Sequence, residues 1–91
     1  MTFQEALKNV KIYAVKEDPS VDVIIRFKTG FGEGNASLTA KKFFKNQAEI
    51  MMTVKRAWEY ACKEYPEREN AVTQIEIRSS VDIAKKALKT A

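Results

Sequence analysis

The chain alternates between two hydrophobic periods, and the points where the period changes divide it into elements. Phe3, Ala6, Leu7 and Val10 recur at spacings of three and four, the mark of a short helix with one apolar face over 3–10. Thr2 and Glu5 stand where a capping box would start it. From Lys11 the period drops to two. Ile12 and Ala14 alternate with Tyr13 and Val15, predicting a strand over 11–17. Asp18-Pro19-Ser20 is a turn signal. The clearest strand follows at 21–28. Val21, Val23, Ile25 and Phe27 face one way, and Asp22, Ile24, Arg26 and Lys28 the other. Gly30-Phe31-Gly32-Glu33-Gly34 forms a turn, and a short third strand fits 35–38.

Between Ala40 and Tyr65 there is neither Gly nor Pro, and Pro66 ends the run. This predicts one long helix capped by Thr39 or Ser37. Its broad apolar face comprises Phe43, Phe44, Gln47, Ala48, Met51, Val54, Trp58, Ala61, Cys62 and Tyr65. The opposite stripe carries Lys41, Lys45, Met52, Arg56, Glu59 and Lys63 over roughly 33 Å. A polar loop at 67–70 leads to a strand over 71–78. A last helix over 81–89 has Ile83, Ala84, Ala87 and Leu88 on its apolar face and Lys85, Lys86 and Lys89 outside. The order is α-β-β-(β)-α-β-α. It predicts a single α+β domain over residues 1–91, with a three- to four-stranded antiparallel sheet, one long helix and two short ones. The expected core is Phe3, Leu7, Val23, Ile25, Phe27, Phe43, Phe44, Met51, Val54, Trp58, Ile75 and Ile77.

Composition changes this picture only where charge is concerned. The 91 residues carry a formal charge of +4, an ordinary excess for a small folded domain. It is unevenly placed: residues 1–40 are neutral, and the whole excess lies in 41–91. That asymmetry suits an anionic partner and rules out an acidic mimic of nucleic acid.

Several chemistries are poorly served. Histidine is absent and Cys62 is the single cysteine, so no intrachain disulfide and no Cys/His zinc site can form; no cofactor is expected. Cys62 falls on the core-facing stripe, which suits an inert thiol rather than a nucleophile. The carboxylates are scattered, and the glycines match neither a dinucleotide fingerprint nor a P-loop. A non-enzymatic protein is the expectation. The opening Met-Thr-Phe-Gln-Glu-Ala has no basic head followed by an apolar run, and no apolar stretch approaches membrane-spanning length. A cytoplasmic protein without membrane contact is expected.

Two kinds of partner remain. Lys41, Lys42 and Lys45 would project from the first turns of the long helix, against the sign of its dipole. Cations held there suit an anion site, and Arg56, Lys63 and the terminal Lys85, Lys86 and Lys89 would extend it along a nucleic-acid backbone. Gly32, Gly34 and Ser37, followed by Lys41-Lys42-Phe43-Phe44-Lys45, resemble the double-stranded-RNA-binding domain over about residues 2–57. That resemblance implies that the three lysines meet phosphates across a major groove while the first helix and first hairpin loop meet minor grooves. Phe44 stands where that family has a small alanine, three extra residues separate Ser37 from Lys41, and the loop at 17–20 is acidic. The alternative partner is a protein. Met52 and Tyr60 fall outside the core stripe, and Ile24, Tyr13 and Val15 or Val72 sit on the wet sheet face. Together they could form an apolar patch for a host protein, as in anti-restriction or anti-CRISPR inhibitors of phages and mobile elements, or a homodimer seam.

Overall fold

The computed structural model describes residues 2–63 and 67–88. The chain forms α1 (Phe3–Leu7), β1 (Lys11–Ala14), β2 (Ser20–Thr29), β3 (Gly32–Lys41), α2 (Gln47–Cys62), α3 (Arg68–Ala71), β4 (Val72–Ser79) and α4 (Val81–Leu88). The fold is α+β, with the element order that the hydrophobic periods predict. The expected helix end at Tyr65 and Pro66, and Lys89 of the last helix, lie outside the described residues.

The four strands lie in the order β1-β4-β2-β3. The sheet is mixed rather than purely antiparallel, because β4 inserts between β1 and β2 and runs parallel to β1. Strand periodicity reports which face a side chain takes, not which neighbour its strand chooses. The insertion also separates β1 from β2, which the likeness to the RNA-binding domain would have joined in a hairpin. Ile12, Ile77, Val23 and Leu38 form one cross-strand row on the helix-bearing face. Val21, Val23, Ile25, Ile75 and Ile77 are fully buried there.

Helix α2 presses Ile50, Val54, Ala57, Trp58 and Ala61 onto that face. Phe3 of α1 meets Trp58 with ring centroids 5.3 Å apart, and Ile83 and Ala87 of α4 close the far side. Thr2 caps α1 by accepting the Glu5 N–H, as its sequence signature predicts. The short α3 occupies the expected polar loop, and Val72 after it is buried in the core cluster, so it does not join the wet face. Phe27 is only half-buried.

The largest departure concerns the start of the long helix. β3 runs ten residues, through the positions where a short strand and then a helix cap were expected. Helix α2 begins after Asn46, whose side-chain oxygen accepts the Glu49 N–H at 3.1 Å. Thr39 is a strand residue instead, and its hydroxyl donates to Asp22 across the β2–β3 pair. The physical reason is the β2–β3 register. Alternating Gly34, Ala36, Leu38 and Ala40 continue the core face opposite Phe27, Ile25, Val23 and Val21. Ten residues of ladder outweigh the weak helix preference of this stretch, which includes β-branched Thr39 and glycines.

Candidate nucleic-acid interface

The connector from Lys42 to Asn46 brings the sequence-predicted lysines to one end of the molecule, but off the helix. Lys41 is the last residue of β3, paired with Ser20. Lys42 and Lys45 lie in the connector, and all three lysines are exposed. They do not stand on the first turns of α2. That terminus is closed from within: Asn46 accepts from Glu49, and a Glu49 carboxylate oxygen accepts the Lys45 N–H at 2.8 Å.

The two adjacent phenylalanines separate. Phe44 turns into the core at 1% exposure, while Phe43 stands out at 75%. A helix would have put both on the apolar face; an extended connector sends neighbours in opposite directions. Phe44 thereby anchors the connector, and α4 reinforces it. The Lys86 ammonium donates to the Phe44 carbonyl at 3.1 Å and lies 4.9 Å from the centre of the Phe43 ring. The Lys42 ammonium lies 5.4 Å from the Phe44 ring centre. Gln47 donates to the Ala87 carbonyl at 2.9 Å, tying the start of α2 to the end of α4. A small hollow of about 90 Å³ lies between Pro19, Phe43, Ser80 and Ile83.

The electrostatics of this end are basic on balance. Lys41, Lys42 and Lys45 flank Phe43 in sequence and are exposed, Lys86 lies over its ring, and Lys85 beside Lys86 is exposed. Three carboxylates temper them. Asp82 pairs with Lys86 at 3.4 Å, and Glu49 is engaged by the backbone. Asp18 is held below the usual carboxylate range, first by the Ser20 hydroxyl and then by the Ser20 N–H.

The remaining predicted residues are elsewhere. Arg56 and Lys63 are exposed on and just after α2, where a cation at the C-terminal end suits the dipole. Lys63 is separated from the connector by the 16-residue length of α2, roughly 24 Å. Of the expected stripe, Met52, Arg56, Glu59 and Lys63 stand on or just after α2, whereas Lys41 and Lys45 do not. Met52 and Tyr60 are exposed, at 54% and 67%. Tyr13 and Ile24 occupy the sheet face away from the helices, so the sheet divides the apolar patch envisaged from sequence. Cys62 is half-buried, and burial pushes its thiol up.

The helix-free sheet face is held by ion pairs. Arg26 Nε donates to Glu76 at 2.5 Å, and Arg78 lies 3.7 Å from the same carboxylate. The Arg26 hydrogen bond holds Glu76 below the usual carboxylate range despite its burial. Burial pushes Asp22 up, but the Thr39 and Lys16 hydrogen bonds together leave it below its ordinary value. The sequence counts Lys86 among the cations that could extend the contact, but the exposure of Phe43 and the approach of Lys86 to its ring escaped it. The available signal was Asn46-Gln-Ala-Glu49, which has the spacing of a helix cap.

No family model, curated protein or solved structure matches the chain. Among the described residues, no helix is long and apolar enough to cross a membrane.

Proposed function

We propose that this is a non-enzymatic nucleic-acid-binding protein whose contact surface is the β3–α2 connector together with the end of α4. The observation that carries the reading is Phe43, an aromatic ring 75% exposed, 4.9 Å from the Lys86 ammonium and flanked in sequence by Lys41, Lys42 and Lys45. Bases stack on such rings irrespective of sequence, while neighbouring cations take the phosphates. A ring that must meet a base face favours a single strand over a closed duplex. Lys41, Lys42 and Lys45 act here from a strand end and a loop, so the attraction comes from side-chain charge rather than from the helix dipole. Arg56 and Lys63 would meet only a strand that continues along α2.

The second reading, a protein partner on the exposed Met52 and Tyr60 of α2, rests on their 54% and 67% exposure. Salt separates the two. Labelled single-stranded and duplex oligonucleotides are titrated at 50 and 200 mM salt. Binding of the single strand that weakens steeply with salt supports the connector reading. No binding at 50 mM salt removes it and leaves the α2 surface as the candidate.

A further inference from the structure

We propose that β3 is a dimerisation edge, and that two copies of this chain join β3 to β3 in antiparallel fashion about a two-fold axis at Ser37. β3 is a ten-residue outer strand, whereas the other outer strand, β1, has four residues. Long, flat outer strands offer unpaired backbone groups and are normally blunted by proline, central charge or cover. Within β3, residues 34–40 read Gly-Asn-Ala-Ser-Leu-Thr-Ala, with no charge and no proline. The only charged side chains are Glu33 and Lys41, near its two ends, and both are exposed.

Backbone geometry fixes which registers are available. The two-residue loop Gly30-Phe31 closes the β2–β3 hairpin on the pair Thr29 and Gly32, which must be a hydrogen-bonded pair. Such pairs recur at every second position, so Gly34, Ala36, Leu38 and Ala40 bond to β2. The N–H and C=O groups of Glu33, Asn35, Ser37, Thr39 and Lys41 therefore point outward. An antiparallel partner must offer outward residues opposite outward residues. Centring the pairing on Ser37 does so throughout: Ser37 meets Ser37, Asn35 meets Thr39, and Glu33 meets Lys41 of the second copy. Each end then carries an opposite-charge pair, formed twice by symmetry. The side-chain faces also agree, so the two sheets continue as one with the helices on a common side. On that side Tyr60 lines a hollow of about 530 Å³ beside Asn35 and Ser37, close to the proposed axis.

Self-association of this kind stands whether or not the connector binds nucleic acid. The test is sedimentation equilibrium of the full chain from 1 to 300 µM, with circular dichroism as the check on folding. A monomer–dimer equilibrium is expected. Ser37→Pro removes only an outward N–H and should give a folded monomer. Glu33→Lys sets like charges at both ends and should weaken the dimer by about five- to thirtyfold. Glu33→Lys combined with Lys41→Glu should restore it, which keeps the test decisive if the proline variant does not fold. A wild type monomeric at 300 µM overturns the proposal. So does a dimer indifferent to Glu33→Lys, or one that the double exchange fails to restore.

Discussion

Replacing Phe43 and Phe44 by alanine, one at a time, distinguishes an extended connector from a helix. Phe44 is 1% exposed and packs in the core, so Phe44→Ala removes a buried aromatic and leaves a cavity. The cost of such a change is about 3–5 kcal/mol. A domain of this size has roughly 5–14 kcal/mol of stability in all, so the variant should lose a large fraction of it. Phe43 keeps three quarters of its surface in water. Full burial of a phenylalanine is worth about 1.5–3 kcal/mol, so its covered quarter accounts for about 0.5 kcal/mol. The Lys86 ammonium over its ring adds about 0.5 kcal/mol at an exposed site. Phe43→Ala should therefore cost about 1 kcal/mol or less. Urea denaturation followed by circular dichroism measures both. Comparable losses above about 3 kcal/mol would mean that both rings are buried, as on a continuous helix, and would refute the connector.

Three further outcomes follow from the same geometry. Asn46→Ala should cost about 1 kcal/mol in a urea melt, because it removes the cap of α2, whereas Thr39→Ala should show no loss of helical ellipticity. With α2 starting at Gln47, Lys41→Glu/Lys42→Glu should bring no dipole-derived gain; a rise in stability of 0.5 kcal/mol or more at low salt would place these residues back at a helix terminus. Glu76 and Asp22 are both held below their ordinary carboxylate values in the folded state. Their contribution is complete above those ordinary values, 4.5 for Glu76 and 3.8 for Asp22, and is lost as pH falls through the lower folded values. The melting temperature should thus be flat from pH 7 to 5 and drop in stronger acid, and Glu76→Gln should make that drop shallower.

Most of the fold was legible because the helices and sheet bury one face each. The alternation of Val21, Val23 and Ile25 gave β2, and Ile75 and Ile77 gave β4, all now fully buried. Trp58 and Val54 likewise marked the packed side of α2. What misled was the stretch from Ser37 to Lys45. Small residues such as Ala36 and Ala40 carry little hydrophobic contrast, so a strand of alanine, serine and threonine shows no clear period. The absence of Gly and Pro after Ala40 then read as helix. Only the β2–β3 register, a non-local feature, makes this stretch a strand. The placement of β4 between β1 and β2 was illegible for the same reason. At the candidate site the lysine cluster was visible as composition. Its surroundings were not, because the approach of Lys86 to Phe43 joins residues 43 positions apart in sequence.

The central claim is that the connector binds nucleic acid, and one titration tests it most directly. Fluorescence anisotropy of a labelled twelve-nucleotide thymidine strand, measured across 25–200 mM salt, should yield a dissociation constant that rises linearly with salt on logarithmic axes. Each phosphate contact contributes a slope of about 0.7 on a single strand. Lys42→Glu/Lys45→Glu should reduce the slope by about 1.4. Phe43→Ala should leave the slope unchanged and weaken binding by about five- to a hundredfold, the worth of one stacked base. Absence of binding at 25 mM salt, or binding that neither variant alters, would contradict the account.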